Sequence, residues 1–272
     1  MAAIDAKRDA LLSALARLES CAVAFSGGVD SAVVAKAAAI ALGDAAVAVT
    51  GASASLAGGE LDEAEKLAQL IQIRHVVVAT DELANPDYLK NSPDRCYHCK
   101  TELYTQLERL LPGLGVKTIV NGANADDRGD YRPGMQAAAE HRIHSPLAEC
   151  GITKSEVREL AAMWDLPVWD KPATPCLSSR IAYGEEVTPE RLAMIDKAEQ
   201  FLRERGLKNL RVRYHGGDLA RIEVPLADLP RLCETDLRRE LTAELRRLGF
   251  KFVTLDLEGF RSGSLNQLVQ IQ

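Results

Sequence analysis

Four short apolar runs, separated by helix-like stretches, recur through the first two-thirds of the chain. The runs are CAVAF (21–25), AAVAV (45–49), HVVVA (75–79) and TIVNG (118–122), and helices are predicted between them over 30–42, 60–72 and 101–111. Runs of this kind, without apolar–polar alternation, are typical of strands buried on both faces of a parallel sheet. We therefore predict an α/β domain with a doubly wound parallel sheet, whose ligands bind at the carboxyl ends of the strands.

The last third of the chain has a different pattern. A predicted helix (188–206) leads to two strand-like runs (211–216 and 220–224), a second helix (227–248) and a last strand-like run (251–259). Strands and helices in this order predict a smaller C-terminal α+β domain. We place the domains at 1–180 and 181–272; the alternative is a single larger domain with an appended sheet.

The string Ser26-Gly27-Gly28-Val29-Asp30-Ser31 follows the first predicted strand and opens a helix. Glycines let the backbone approach an anion closely, and the next helix directs its free N–H groups and positive dipole end toward that anion. The serine hydroxyls add donors, and Asp30 can hold a Mg²⁺ ion that bridges phosphate oxygens. No Lys-Ser/Thr pair follows, so this is not a Walker A loop. The alternative is a tight turn without a ligand.

The full string resembles the pyrophosphate loop (PP-loop) of the ATP pyrophosphatase superfamily, which has the adenine nucleotide α-hydrolase-like fold. Members activate a substrate oxygen by adenylylation and release pyrophosphate. The resemblance implies an ATP-binding domain over 1–180, in which Ser26, Gly27, Gly28, Asp30 and Ser31 bind Mg·ATP.

Cys176 lies in the segment KPATPCLSSR (171–180) and is the candidate nucleophile. A cysteine attacks as its thiolate, which nearby cations and hydrogen-bond donors favour, and two serines and Arg180 follow this one. Prolines 172 and 175 keep the segment extended and favour its exposure. The alternative is an inert cysteine buried near a domain junction.

Cys96 and Cys99 form a CxxC pair ahead of a predicted helix. Two thiols do not complete a four-ligand metal site, so a further ligand must come from elsewhere, and Cys176 is the candidate. Three cysteines on a [4Fe–4S] cluster would leave one iron open to an extra sulfide. A redox pair, a structural zinc site that uses His98, and thiols without a role are the alternatives.

Three further strings make the resemblance closer: KPATPCLSSRI with a following Tyr-Gly, GANADDRGDYRPG (122–134) and HSPLAE (144–149). Together with the PP-loop and the tail GFRSGSLN (259–266), they resemble the LarE family of ATP-dependent sulfur transferases over essentially the whole chain. The resemblance implies adenylylation of a pyridinium dicarboxylate mononucleotide and its conversion to a thiocarboxylate, for the nickel-pincer nucleotide cofactor. In the sacrificial version that the resemblance implies, the sulfur comes from Cys176, which becomes dehydroalanine. The CxxC pair is a departure from that version, and it allows the sulfur to come instead from a cluster held by Cys96, Cys99 and Cys176.

Further site residues are predicted around the PP-loop and around Cys176. Thr50 and Gly51, at the end of the second strand, are predicted to contact adenosine, and Asp126, after the fourth strand, is predicted to lie near the nucleotide. A small anionic mononucleotide requires cations, and guanidinium groups pair with phosphate oxygens. We predict a substrate-phosphate pocket made of Ser179, Arg180, Arg211 and Arg213. Glu199 and Glu223 balance these arginines or bind a metal; a salt-bridged sheet face is the alternative for the arginines.

Charge and segment lengths limit the partners. The chain has 33 Lys and Arg against 39 Asp and Glu, a net charge of −6, which disfavours nucleic acid as a partner. No apolar run is long enough to span a membrane, and residues 1–20 do not have the pattern of an export signal. We predict a cytoplasmic homo-oligomer without a membrane partner. The alternative functions are another PP-loop ligase or tRNA thiolase, and a non-catalytic nucleotide-binding regulator.

Overall fold

The structure is a computed structural model, and it describes residues 2–127, 133–172, 174–261 and 265. The strands are β1 (Cys21–Ala24), β2 (Ala46–Ala52), β3 (Arg74–Ala79), β4 (Thr118–Val120), β5 (Arg211–His215), β6 (Leu219–Glu223) and β7 (Phe252–Leu255). The helices are α1 (Ala2–Ala16), α2 (Val29–Leu42), α3 (Glu60–Ile71), α4 (Pro86–Leu89), α5 (Arg95–Leu114), α6 (Pro133–Glu140), α7 (Pro146–Glu149), α8 (Lys154–Met163), α9 (Pro189–Glu204), α10 (Leu229–Cys233) and α11 (Thr235–Leu248). Within the described residues, no helix is long and apolar enough to cross a membrane.

The described residues fall into two compact units. The first is drawn from Met1–Ser53, Gly59–Glu82 and Cys96–Thr174, and the second from Ala54–Gly58, Leu83–Arg95 and Pro175–Gln272. Each unit has a sheet of its own.

The first unit contains a four-stranded parallel sheet in the order β3-β2-β1-β4. Alternate strand residues enter two different cores. Val23 and Ala48 pack in a cluster with residues of α1, α2 and α8, whereas Ala22 and Val47 pack in a second cluster with Leu107 of α5. The predicted α/β class with a doubly wound sheet is therefore confirmed. Strand β3, at one edge of the sheet, departs most from full burial, and Val77 in it is 41% exposed.

The strand order brings the segments that follow β1 and β4 to the same edge of the sheet. The chain passes from β1 through β2 to β3 on one side and then places β4 on the other side of β1. Because the strands are parallel, the segments that follow β1 and β4 leave the same edge of the sheet, on either side of the reversal in strand order. This is where open α/β sheets bind their ligands.

The second unit contains a three-stranded sheet in the order β5-β6-β7. Strands β5 and β6 are antiparallel, and β6 and β7 are parallel. The smaller α+β sheet is as predicted, but the predicted helix over 227–248 is wrong as a single element. Glu234 has an extended backbone (φ −57°, ψ 139°), which breaks the hydrogen-bond ladder between α10 and α11.

Candidate functional site

The loop of residues 26–31 connects β1 to α2 and is held by its own serines. The Ser31 hydroxyl accepts a hydrogen bond from the Ser26 amide at 3.2 Å and donates to the Gly28 carbonyl at 3.0 Å. Gly27 has a left-handed φ of +71°, a conformation that costs glycine little. The N-cap residue of α2 is Gly28, which has no side chain to satisfy the first amide groups of the helix. The loop therefore leaves these groups for an anion.

Asp30 lies in the first turn of α2, and two side chains from the same unit bind its carboxylate. Asn124 Nδ2 donates to Oδ1 at 3.1 Å, and Lys154 Nζ forms an ion pair with Oδ2. The side chain of Asp30 is 26% exposed. A Cβ atom on Gly122 would lie 2.8 Å from the Ser31 amide nitrogen, so only glycine lets the chain after β4 pass this close to α2.

The donor set beside the loop suits Mg²⁺. Proteins commonly bind Mg²⁺ through one or two carboxylates, with substrate phosphates and water as the remaining ligands. Asp30 supplies one carboxylate in the first turn of α2, whose N-cap residue makes no side-chain hydrogen bond to the helix amides. In the described part of the chain, no group of three or more His, Cys, Asp or Glu side chains is arranged to hold a metal ion by protein ligands alone.

Asp126 helps to fix the backbone of Lys154 at the start of α8. Its Oδ2 atom accepts a hydrogen bond from the Lys154 backbone amide at 2.8 Å, and its own amide donates to Asn124 Oδ1 at 3.0 Å. Thr153 and Glu156 add a capping box at the same helix start. Sequence reasoning missed Lys154. The Thr153-Lys154-Ser155-Glu156 string signals only the start of a helix, whereas the partner Asp30 lies 124 residues away along the chain.

Thr50 and Gly51 lie near the end of β2, as predicted, and both lie close to neighbouring side chains. The Thr50 hydroxyl donates to the Phe25 carbonyl at 2.8 Å and lies 2.7 Å from His75 Nε2. Burial lowers the pKa of His75, which favours the neutral form of the ring. A Cβ atom on Gly51 would lie 2.8 Å from Leu103 Cδ1. The contacts of Thr50 connect β2 to the residue that follows β1 and to β3. The contact of Thr50 and Gly51 with adenosine stays a prediction.

The CxxC pair lies in the first turns of α5. Cys96 is exposed and Cys99 is partly buried, and residues three apart share one face of a helix. The other cysteines of the first unit are less suited to chemistry. Burial raises the pKa of Cys21 to about 12, so its thiolate is strongly disfavoured, and burial also raises the pKa of Cys150.

Cys176, in the second unit, is partly buried and precedes a single 3₁₀ turn, Leu177–Arg180. Its carbonyl oxygen accepts hydrogen bonds from the Ser179 hydroxyl at 2.7 Å and from Arg180 Nη1 at 2.9 Å. Arg180 Nη1 also donates to the Pro175 carbonyl. The backbone on both sides of the thiol is therefore fixed by the two residues that the sequence motif places after it.

A segment distant in sequence supports the same turn. The hydroxyl groups of Tyr88 and Ser178 lie 2.6 Å apart, and Arg95 Nη1 donates to the Ser178 carbonyl at 2.7 Å. Asn91 Nδ2 donates to the Ala182 carbonyl at 2.8 Å. Sequence reasoning missed Tyr88, Asn91 and Arg95, because nothing in their local pattern distinguishes them from residues of an ordinary loop.

The arginines predicted to bind phosphate are packed against the two predicted glutamates. Arg180 and Glu199 are both fully buried, and Arg180 Nε donates to Glu199 Oε1 at 3.1 Å. Arg213 Nε and Nη2 both donate to Glu223 Oε2, at 3.0 and 2.9 Å, and its Nη1 donates to the Ser179 carbonyl at 3.0 Å. The two ion pairs thus connect β5, β6 and α9 to the turn that follows Cys176.

Arg211 has a different electrostatic environment. Burial, followed by the positive charge of Arg180, lowers the pKa of Arg211 to about 10, against the opposing effect of Glu199. Arg211 Nη1 donates to the Leu210 carbonyl at 2.7 Å, and its guanidinium carbon lies 5.2 Å from the centre of the Phe260 ring.

Replacing Glu199 with glutamine is expected to destabilise the fold by about 3–5 kcal/mol. The carboxylate accepts hydrogen bonds from Arg180, from Arg203 Nη2 at 2.7 Å and from the Val212 amide at 3.1 Å. A neutral amide would leave the fully buried Arg180 without its counter-ion. Urea unfolding measures the loss. Glu204→Gln, an exposed position on the same helix, serves as the control and should change stability by less than about 0.5 kcal/mol; equal effects of the two variants would contradict the prediction.

Comparison with known proteins places this geometry in a family. No protein-family model matches the chain. A pyridinium-3,5-bisthiocarboxylic acid mononucleotide synthase from Lactiplantibacillus plantarum is 37% identical over 98% of this chain and 96% of its own length. The chain belongs to the LarE family. An uncharacterized protein of Synechocystis is 46% identical over 98% of this chain and 99% of its own length.

Membership of the LarE family confirms the predicted enzyme class, an ATP-dependent sulfurtransferase. A tRNA-specific 2-thiouridylase, MnmA of Xanthobacter autotrophicus, is more distant, with 29% identity over 55% of this chain and 48% of its own length. The LarE match covers the second unit as well as the PP-loop, which favours this branch over the tRNA thiolases. Parts of three LarE-like strings lie outside the described residues: 128–132, 173, 262–264 and 266.

Proposed function

We propose that this chain adenylylates a carboxylate of a pyridinium dicarboxylate mononucleotide and converts it to a thiocarboxylate for nickel-pincer nucleotide synthesis. The single observation that carries the proposal is the structure of Cys176 and of the turn Leu177–Arg180 that follows it. It combines a partly exposed thiol with the buried Arg180 and Arg213, which bind the carbonyl groups of the same turn. A partly exposed cysteine on a backbone that neighbouring side chains fix is suited to attack an activated acyl group.

The ATP site is assigned to residues 1–180. In this proposal the amide groups and hydroxyls of 26–31 bind the pyrophosphate part of ATP, and Asp30 holds Mg²⁺. When bound, the ion neutralises phosphate charge as the pyrophosphate leaves. Thr50 and Gly51 contact adenosine through the backbone at the end of β2. Asp126 lies near the nucleotide and, through its hydrogen bond to the Lys154 amide, fixes the start of α8.

The substrate phosphate is assigned to Ser179, Arg180, Arg211 and Arg213 in residues 181–272 and the turn before them. Arg211, which is partly buried, is the candidate for direct contact, because a guanidinium group pairs with phosphate oxygens. Arg180 binds Glu199 and Arg213 binds Glu223, so we assign to these arginines mainly the positioning of the turn Leu177–Arg180. For the two glutamates we favour charge compensation over metal binding.

The proposed reaction has two stages. The substrate carboxylate attacks the α-phosphorus of ATP, a P–O bond forms, and the bond to pyrophosphate breaks. The Cys176 thiolate then attacks the acyl carbon, and AMP leaves with the C–O electron pair. Removal of the Cα proton of Cys176 breaks the Cβ–S bond, so the thiocarboxylate keeps the sulfur and the chain keeps dehydroalanine.

In a second version of the proposal, a cluster held by Cys96, Cys99 and Cys176 supplies the sulfur. Thiolates are the ordinary ligands of [4Fe–4S] clusters, and such a cluster would supply sulfide at an iron that no cysteine binds. No three-ligand group is arranged for a metal among the described residues, so we derive no step through the cluster. We further propose that the protein is cytoplasmic, assembles as a homo-oligomer and does not bind nucleic acid.

One experiment tests the activity and separates the two sulfur sources. The protein, purified without oxygen, is incubated with Mg·ATP and the dicarboxylate mononucleotide, and pyrophosphate, thiocarboxylate and intact mass are measured. Pyrophosphate release that depends on the carboxylate is expected. A mass loss of about 34 Da, one H₂S, indicates that Cys176 gives up its sulfur. Several turnovers at unchanged mass, together with iron and acid-labile sulfide, indicate the cluster. No thiocarboxylate would contradict the proposal.

A further inference from the structure

The peptide bond between Cys176 and Leu177 is held by hydrogen bonds on both of its polar groups. Its carbonyl oxygen, which belongs to Cys176, accepts from the Ser179 hydroxyl at 2.7 Å and from Arg180 Nη1 at 2.9 Å. Its amide group, which belongs to Leu177, donates to the Ser55 carbonyl at 2.8 Å. These hydrogen bonds fix the backbone angle ψ of Cys176, which is 158°.

The Ser55 carbonyl belongs to a short segment, 54–58, that lies in the second unit and follows β2 along the chain. Ser55 and Ala57 are each only 6% exposed. The Gly58 amide, at the end of the segment, donates to Asp196 Oδ1 at 3.0 Å. A Cβ atom on Gly58 would lie 3.0 Å from the other carboxylate oxygen, so the glycine lets the carboxylate approach the backbone closely. Asp196 therefore anchors the segment that carries the Ser55 carbonyl.

One helix, α9, holds this peptide bond through both of its polar groups. Asp196 and Glu199 are three residues apart and share one face of the helix. Glu199 binds Arg180, which donates to the Cys176 carbonyl. Asp196 binds segment 54–58, which accepts the hydrogen bond from the amide of the same peptide bond. Loss of either carboxylate is therefore expected to loosen one side of the peptide bond that follows the proposed nucleophile.

We propose that Asp196 is a positioning residue for the sulfur-transfer stage. It keeps segment 54–58 in place, and the Ser55 carbonyl of this segment keeps the peptide bond after Cys176 in the orientation that directs the thiolate at the activated acyl carbon. Rates depend steeply on such geometry, since a displacement of about 1 Å lowers a rate by about a hundredfold. The inference rests on the proposed function, namely that the Cys176 thiolate attacks the acyl carbon after adenylylation.

Hydrogen exchange, measured by NMR, tests this role without any substrate. In Asp196→Ala the Gly58 amide loses its acceptor, and we expect the Leu177 amide to exchange at least about tenfold faster than in the wild-type protein. Asp196→Asn keeps an oxygen that accepts the same hydrogen bond, so its Leu177 amide should exchange within about threefold of the wild type. The control is Glu204→Ala, which removes an exposed carboxylate from the same helix and should leave this exchange unchanged. Unchanged exchange of Leu177 in Asp196→Ala would overturn the inference.

Single-turnover rates of the two stages test whether this position matters for the chemistry. Asp196→Ala should form thiocarboxylate at least about tenfold more slowly, while pyrophosphate release stays within about twofold of the wild type. Asp196→Asn should recover most of the lost rate. A general loss of structure would slow both stages together. Equal slowing of the two stages, or thiocarboxylate formation at the wild-type rate, would therefore overturn the inference.

Gly58→Val changes the same contact from its other partner. Its Cβ atom would meet Asp196 Oδ2 at 3.0 Å, and the added methyl groups should displace the carboxylate. We expect faster exchange of the Leu177 amide and slower sulfur transfer, as in Asp196→Ala, and wild-type exchange of Leu177 in this variant would also overturn the inference. Failure of the wild-type protein to form thiocarboxylate would instead contradict the proposed function, and the exchange measurements would still test the contact.

Discussion

Replacing Cys176 with serine is expected to reduce thiocarboxylate formation by at least about a thousandfold, while pyrophosphate release changes by no more than about threefold. Adenylylation precedes sulfur transfer, so removal of the thiol leaves the first stage intact. A hydroxyl at this position can form only an ester, from which no sulfur is transferred. The measurements are thiocarboxylate by mass spectrometry and pyrophosphate in the same reaction mixture.

Cys233→Ser is the matched control for this variant. Cys233 is exposed at the end of α10 in the second unit, and its loss should leave both measurements unchanged. Thiocarboxylate formed by Cys176→Ser at the wild-type level would contradict the role of Cys176. Loss of pyrophosphate release together with sulfur transfer would indicate that the variant has disturbed the turn and not only the sulfur donor.

The CxxC pair allows a sharper comparison. Cys96→Ser and Cys99→Ser should leave a single turnover and its mass loss intact if Cys176 gives up its own sulfur. If a cluster supplies the sulfur, each variant should lose iron and activity together, because a ligand has been removed. The two outcomes are mutually exclusive, so this pair of variants decides between the two versions of the mechanism.

Replacing Asp30 with asparagine is expected to lower the rate of pyrophosphate release by about a hundredfold or more, since a metal ion contributes several kcal/mol of charge stabilisation. The amide keeps the shape of the side chain and can still contact Asn124, but it loses the charge that Mg²⁺ requires. The initial rate of pyrophosphate release, measured as a function of Mg²⁺ concentration, checks the prediction.

Asp62→Asn, at an exposed position on α3, is the control for Asp30→Asn. It should leave the Mg²⁺ dependence unchanged, because its carboxylate has no place in the proposed ATP site. A wild-type rate and an unaltered Mg²⁺ dependence in Asp30→Asn would contradict the assignment of this residue to the metal.

Short-range features could be predicted from the sequence. The four apolar runs specify strands that are covered on both faces, and the structure contains them as a parallel sheet with a core on each face. The residues of 26–31 specify a loop that opens a helix, because Gly27 adopts a left-handed φ and Gly28 leaves the helix amides free. These outcomes depend on backbone conformations and on periodicity within a few residues, which the sequence contains directly.

The sequence alone also determined which chemistry to look for. The PP-loop string, Cys176 and the CxxC pair are residue types at fixed spacings, and the LarE relationship extends over nearly the whole chain. The sequence pattern also predicted one continuous helix over 227–248, and this prediction was wrong. One residue with a non-helical backbone, Glu234, interrupts that helix, and the poor helix formers Cys233, Thr235 and Asp236 flank it.

Only the tertiary structure decided which distant side chains act together. The pairing of Lys154 with Asp30 joins residues 124 apart, and the contacts of Arg180 with Glu199 and of Arg95 with Ser178 depend on how separate elements pack. A long polar side chain is equally compatible with solvent or with any nearby opposite charge, so its partner is not encoded locally. In the first unit, the strand order brings the segments after β1 and β4 to one edge of the sheet, so that Asn124 lies within hydrogen-bond distance of Asp30.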